Sequence, residues 1–316
     1  RNYKRTWGEC REPRTPQTLM TAQKNDCLLV LGGTGNVGQH VVSWLRKNAA
    51  PTARVLVGTR SPDGISPNRE GGASVQGLTC DLGNIESIRR AILEANPRAI
   101  FLCLPQALDH AAMIASSAAV AEASKEAGVS RLVRISSVGI DGGAQGPLGA
   151  AHVAAEAHCK AVGVLLSSVR PTSFHTNFVK YDMDSLRKEN IFRSPLGCER
   201  QARVNWVHCR DIGEVSAILL ARDETDSRGD EVVEVTGPPS STLSATDMAA
   251  LLTQELGREI RYQETKPPPI PAYEGLWAFL RAGGFDRDTN AVFQTTGRAP
   301  IDFREIVRDL KAELNS

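Results

Sequence analysis

Leu28-Leu-Val-Leu31 is an unbroken apolar run, short and without alternation, and it predicts a strand buried on both faces. It runs into Gly32-x-x-Gly35-x-x-Gly38, after which Val37, Val41, Val42, Trp44 and Leu45 recur at helical spacing. The unit then repeats along the first half of the chain. Residues 54–58, 75–79, 99–103, 131–135 and 164–169 read as further strands. Helices separate them: Ile85, Ile88, Ile92 and Leu93 mark one with Asn84 as its N-cap, the alanine-rich stretch 108–127 is stopped by Gly128, and 151–162 forms another. Residues 61–72 are a Pro/Gly/Ser loop.

Strands alternating with helices at this spacing predict right-handed βαβ units and an α/β fold built on a doubly wound parallel sheet. Ligands of such sheets sit outside the carboxyl ends of the strands. Beyond residue 171 the alternation lapses. Residues 204–207 read as a strand, 211–220 as a helix, 232–235 as a strand, 243–256 as a helix and 258–263 as a strand. A proline run, Pro267-Pro-Pro269, follows, and a last helix begins near Phe303. The expected organisation is a nucleotide-binding domain over 25–173, to which 203–236 returns, and a smaller α/β substrate lobe from 174–202 and 237–316. Residues 1–24 look appended. Their first 19 positions are basic, lack apolar periodicity and are expected to be disordered, a transit remnant or an upstream extension before Met20.

Composition narrows the function. The 316 residues carry a formal net charge of +1, which gives no electrostatic case for nucleic acid or an anionic membrane surface as partner. No apolar run reaches the length of a membrane span. The seven cysteines are odd in number and scattered, without Cys-x-x-Cys, which points to a reducing, cytoplasmic compartment (organellar if the leading segment is a transit remnant). His158-Cys159 and His208-Cys209 lack the spacing of a metal site, so no metal is expected.

The glycine turn is the first candidate site. Gly32 permits the tight turn, Gly35 lets backbone approach a pyrophosphate, and Gly38 lets the helix pack close to the sheet. Thr34, Asn36 and Val37 belong to the same turn, where free N–H groups and the helix dipole face negative charge. Thr59-Arg60 ends the second strand. An arginine there suits a ribose 2′-phosphate, where NAD-specific folds place an acid. Asp81-Leu82, Leu104-Pro105, Ser136-Ser137 and Pro171-Thr172 end later strands. Asp81 either caps the next helix or contacts adenine. The Tyr-x-x-x-Lys pair of short-chain dehydrogenases is missing from the helix after the fifth strand. Its one spelling, Tyr262 to Lys266, falls in an expected strand, where residues four apart lie ~13 Å apart, and is a decoy. That helix offers His152-x-x-x-Glu156 on one face instead. The pair is either a proton donor oriented by a carboxylate or an ordinary surface pair. Ser136 either polarises a carbonyl or caps its turn.

Taken together, Gly32-Gly-Thr-Gly-Asn-Val-Gly38, Arg60, Ser136-Ser-Val-Gly139, His152-x-x-x-Glu156, Arg170-Pro-x-x-Phe174-x-x-Asn177, Trp206-Val-x-x-x-Asp211-Ile-Gly213, Thr236-Gly-Pro238 and Gly297-Arg-Ala-Pro-Ile-Asp-Phe303 resemble the NmrA-like family of atypical short-chain dehydrogenase/reductase proteins. The resemblance runs over roughly residues 27–310. It implies a Rossmann fold that binds NADP(H), with NAD(H) possible. In a reductase of this kind the nicotinamide is expected near Pro105, Ser136 and Pro171 to Phe174, and the acceptor beneath Phe174, Asn177, Phe178 and the C-terminal lobe. The family contains reductases of quinones and of iminium compounds, and redox sensors that bind dinucleotide and then a protein partner. The expected activity is hydride transfer from NADPH to a small organic acceptor by a monomer or homodimer, the alternative being a non-catalytic sensor.

Overall fold

The structure, a computed structural model, describes residues 26–67, 72–105, 108–141, 145–198, 202–223, 229–267, 269, 273 and 275–315. The segment expected to be appended and disordered, 1–24, lies outside them. The strands are β1 (Cys27–Leu31), β2 (Arg54–Thr59), β3 (Ser74–Thr79), β4 (Ala99–Leu102), β5 (Arg131–Ile135), β6 (Leu165–Pro171), β7 (Ser173–Phe174), β8 (Ile191–Ser194), β9 (Arg203–Val207), β10 (Glu231–Val235), β11 (Thr242–Ser244) and β12 (Arg261–Glu264). The helices of the first half are α1 (Gly38–Asn48), α2 (Ile85–Ala95), α3 (His110–Glu126) and α4 (Gly146–Val162). Those of the second half are α5 (His175–Glu189), α6 (Cys209–Ala221), α7 (Ala245–Leu256), α8 (Leu276–Arg281), α9 (Ala291–Thr296), α10 (Phe303–Asp309) and α11 (Lys311–Leu314).

Seven strands form one parallel sheet in the order β10-β6-β5-β4-β1-β2-β3. The order reverses between β1 and β4, so the fold is the doubly wound Rossmann type and its switch point lies beside the glycine turn. Strand β1 is buried along its whole length. Leu28 and Val30 pack with Val41 and Leu45 of α1 and Val215 and Leu219 of α6 on one face. Leu29 and Leu31 pack with Ile88 and Ile92 of α2 and Val120 of α3 on the other. Alternation along the strand thus feeds two separate cores, which is why the sequence run shows no polar position.

Local signals behave as expected at several ends. Asn84 caps α2 by accepting from the Ser87 N–H at 3.0 Å, and Gly128 follows α3 at φ 68°. Helix α4 differs: it begins at Gly146, ahead of the expected 151, because Pro147 occupies the first turn, where a missing N–H costs nothing.

The expectation for 203–236 needs correcting. Helix α6 covers the sheet and β10 joins it beside β6, but β9 does not return to it. Strand β9 instead pairs in parallel with β7 and antiparallel with β11 in a three-stranded sheet of its own. Strand β6 ends at Pro171, whose ring lacks a donor, and the chain resumes as β7, which is the strand β9 pairs with. A third core then forms under the smaller lobe, with Phe178, Phe192, Met248, Leu252 and Phe303. No helix among the described residues is long and apolar enough to cross a membrane.

Asn205 of β9 joins the two parts. Its Oδ1 accepts from Thr172 Oγ1 at 2.9 Å and the Gly237 N–H at 2.8 Å. Its Nδ2 donates to Thr242 Oγ1 at 2.9 Å and to the carbonyls of Gly237 and Pro238 at 3.2 and 3.3 Å. The side chain is fully buried, and all its donor and acceptor capacity is used. Asn205→Ala leaves those partners unsatisfied away from water and is expected to cost on the order of 2–4 kcal/mol of stability. Denaturant unfolding checks this, and a loss below about 0.5 kcal/mol would contradict the linking role.

Candidate functional site

At the turn after β1, Gly32 has φ +84°, and a Cβ there would stand 2.2 Å from the Cys103 carbonyl oxygen. A Cβ on Gly38 would stand 2.1 Å from the Gly32 oxygen. The fold itself therefore requires both. Gly35 is different: it is exposed, and its Cβ would meet only the Gly32 oxygen, at 3.3 Å. Helix α1 starts at this point with no side-chain cap and no acidic residue in its first turn, so its leading N–H groups face outward beside exposed Thr34, Gly35 and Asn36. That arrangement fits a dinucleotide pyrophosphate. Val37 offers backbone alone, since its side chain is buried in the core.

Arg60, after β2, is exposed and forms no ion pair among the described residues, which fits a 2′-phosphate. Thr59 Oγ1 accepts from the Ser61 N–H at 3.2 Å and shapes that turn. Asp81 does not cap α2, a role Asn84 holds. Its Oδ1 accepts from the Gly83 N–H at 3.0 Å, and the residue remains exposed at the end of β3. Leu82 does not face the groove as expected. It is turned into the core beneath α2, and its carbonyl accepts from Ser116 Oγ at 2.8 Å. Leu104 is half-buried and Pro105 exposed.

A cavity of about 530 Å³ opens at the carboxyl ends of β5 and β6. Ser136, His152, Pro171, Thr172, Phe174 and Asn177 form its sheet side. Phe192, Trp206, Leu276, Trp277 and Phe285 form the opposite wall from the smaller lobe, with Lys266 beside them. Phe178 is absent from this lining. It is fully buried in the third core with its ring edge-on to Phe303 at 5.2 Å, because on α5 it is turned about 100° from Asn177. The decoy reading of Tyr262 and Lys266 splits: Tyr262 lies outside the lining and donates to the Ser194 carbonyl at 3.2 Å, whereas Lys266 lines the cavity. The sequence led to a C-terminal lobe over the acceptor but to none of these far-wall residues by number. The apolar cluster Leu276-Trp-Ala-Phe-Leu280 after the proline run was the available signal.

The polar floor also departs from expectation. Glu156 does not orient His152. The buried Arg170 guanidinium takes its carboxylate at 2.7 and 3.2 Å and donates to exposed Asp141 at 2.7 Å. Sharing a helical face was insufficient, because a bidentate cation from β6 competes better than a neutral ring. Burial pushes the Glu156 carboxyl up, but Arg170, Ser136 and Arg134 outweigh it and hold the group below its usual range. His152 Nδ1 lies 3.4 Å from Arg134 Nη1. Burial, and then the Arg134 charge, bring its pKa down to about 3. With Nδ1 accepting from a guanidinium, the ring is neutral and carries its proton on Nε2. Ser136 Oγ is buried without a partner of good geometry. The site thus offers neutral donors backed by buried cations.

The NmrA-like family's sequence profile matches residues 24–271. This chain belongs to the NmrA-like family. It is 25% identical over 312 residues to the prestalk A differentiation protein A of Dictyostelium discoideum, covering 93% of this chain and 95% of that one. It is 26% identical over 235 residues to an NAD(P)H azoreductase of Xenophilus azovorans, covering 74% and 76%. The NADPH-dependent quinone oxidoreductase of Escherichia coli, solved with NADPH, shares the fold with a TM-score of 0.70 at 18% identity, covering 90% of this chain and 99% of that one.

In this NmrA-like chain three histidines gather beside the glycine turn. His175 and His208 stack with centroids 4.0 Å apart, and His40 of α1 lies 5.9 Å from His208. His208 Nδ1 caps α6 by accepting from the Arg210 N–H, and His175 Nδ1 accepts from the Cys209 N–H. Burial, followed by the neighbouring imidazoles, lowers His208 to about 3 and His175 to about 4. Both rings are neutral in the fold and gain protons more readily in the unfolded chain. Stability is therefore full above pH 6.5 and declines as pH falls from there toward the folded-state values. His208→Asn keeps the cap and removes the titration, so its melting temperature should fall less steeply between those limits. Parallel melting-temperature profiles for the two proteins would contradict this.

Proposed function

We propose that this chain is an NADPH-dependent reductase that passes hydride to a small, flat organic acceptor such as a quinone. The observation that carries the reading is the aromatic-walled cavity of about 530 Å³ at the strand ends, entered by Ser136 and the loop after β6. The glycine turn and Arg60 support the cofactor, and the names of the azoreductase and quinone oxidoreductase relatives agree with it. When bound, the dinucleotide supplies the hydride.

The protein's own part is binding, orientation and electrostatics. Backbone N–H groups at Asn36 to Gly38 would hold the pyrophosphate, the Gly35 N–H being taken by the Gly32 carbonyl at 3.1 Å, and Arg60 would hold the 2′-phosphate. Phe174, Trp206 and Phe285 exclude water and hold a planar acceptor. Ser136 Oγ, which lies beside the Glu156 carboxylate but makes no hydrogen bond of good geometry, would donate to an acceptor oxygen, where negative charge develops as hydride arrives. His152 serves as a neutral hydrogen-bond donor from Nε2 rather than as an imidazolium acid. A quinone needs no proton before hydride transfer, so the reaction proceeds without the Tyr-x-x-x-Lys pair.

Two outcomes test the reading. NADPH should bind roughly tenfold or more tightly than NADH at low ionic strength, and Arg60→Ala should remove most of the difference. Calorimetric titration measures it, with Gly35→Asp as the folded, non-binding control; equal wild-type affinities would leave Arg60 a solvated loop residue. NADPH should also be oxidised by small quinones, with kcat/KM lowered roughly 10- to 100-fold in Ser136→Ala. Tight NADPH binding with no oxidation across a quinone panel would favour the alternative, a redox sensor that engages a protein partner.

A further inference from the structure

Among the described residues, the cavity lining contains no aspartate or glutamate. Its two cations differ in availability. Arg193 of β8 is committed, since its guanidinium donates to Glu189 Oε1 at 2.8 Å and to Gln263 at 3.1 Å. Lys266, just past β12, is exposed and has no carboxylate partner among the described residues. Behind the sheet-side wall, the Arg134 guanidinium is fully buried against His152. Trp277 of α8 adds a second observation. The residue lines this wall, and its buried Nε1–H lacks an acceptor. Among the described residues the lining therefore carries one uncommitted cation, Lys266, and no carboxylate.

We propose that Lys266, seconded by the Trp277 indole N–H, selects an acceptor that carries an anionic oxygen group, a carboxylate or sulfonate, on its aromatic ring. This rests on the reductase reading above and sharpens it against cationic acceptors. An iminium or a cationic dye entering this lining meets uncompensated like charge. A ring that carries its anion at the far end instead places the acceptor carbonyl at Ser136 and the anion at the ammonium. Lys266 touches the non-reacting end of the acceptor, so it is a specificity residue. Sequence spacing paired it with Tyr262; the cavity separates the two.

The test compares a naphthoquinone sulfonate with the same naphthoquinone lacking the sulfonate, using the full chain and NADPH. The readout is the ratio of the two kcat/KM values, which cancels the intrinsic reactivity of each quinone between variants. Lys266→Ala should lower that ratio about three- to tenfold, Lys266→Glu should lower it further, and Lys266→Arg should restore it. The effect should shrink with added salt, which a merely structural role for Lys266 would not produce. Calorimetry with inert naphthalenesulfonate on the NADP⁺-saturated protein separates the two readings. Lys266-dependent binding without quinone turnover would retain this inference and remove the reductase. Turnover with a ratio that Lys266 does not move, or preferential reduction of a cationic dye, would overturn the inference and leave the reductase standing.

Discussion

The architecture hangs on one amide. Asn205 is fully buried, and its two ends are satisfied by groups from three places: the residue after β6, the turn after β10, and β11. The parallel sheet finishes at Pro171 and Val235, where a Rossmann domain is complete as a packed object. Everything beyond must be fixed to it without a shared sheet. A single saturated amide does so with directional bonds that tolerate little displacement. Thr172, one of its partners, and Trp206, its neighbour in sequence, both line the cavity. The clamp and the cavity floor are therefore the same piece of structure.

A second fixture works from the opposite side. Asp211 of α6 is fully buried, accepts from the Ile301 N–H at 2.9 Å, and pairs with Arg298 at 2.6 Å. Arg298 also reaches Glu214 at 2.6 Å. Phe303, just beyond, sends its ring against Phe178 and Trp206. The C-terminal segment is thereby stitched to the helix that covers the main sheet. Two motifs far apart in sequence, around Asp211 and around Arg298, are one contact in space. Removing Arg298 would strand the buried Asp211 carboxylate, which costs more than the pair itself contributes.

The buried charges near the cavity follow the same logic with a different result. Arg170 and Glu156 satisfy each other, with Asp141 outside. Among the described residues Arg134 hydrogen-bonds Ser117 and His152, at 3.4 Å each, and its charge also acts on the Glu156 carboxylate. Burial and the adjacent guanidinium together keep His152 neutral. The floor thus presents neutral donors, with its charged groups held behind them.

The strands and helices of the first half were legible in the sequence because each depends on neighbours in the chain. Four apolar residues at β1, a cap at Asn84 and a stop at Gly128 act over a few residues, and parallel pairing follows from their alternation. The turn at Gly32 and Gly38 was legible for the same reason, since the clashes that demand glycine come from the turn itself and the adjoining strand end. What the sequence could not decide was which partner a side chain takes once several are within reach. His152 and Glu156 share a helix face, yet Arg170 and Arg134 claim them separately. Phe178 and Asn177 are adjacent, yet one fills a core and the other faces the cavity. Lys266 looked like half of a false motif, and the packing of the smaller lobe brings it to the cavity wall. Chain-local sterics and periodicity set the elements; competition among distant charged and aromatic groups, resolved only on packing, set the site.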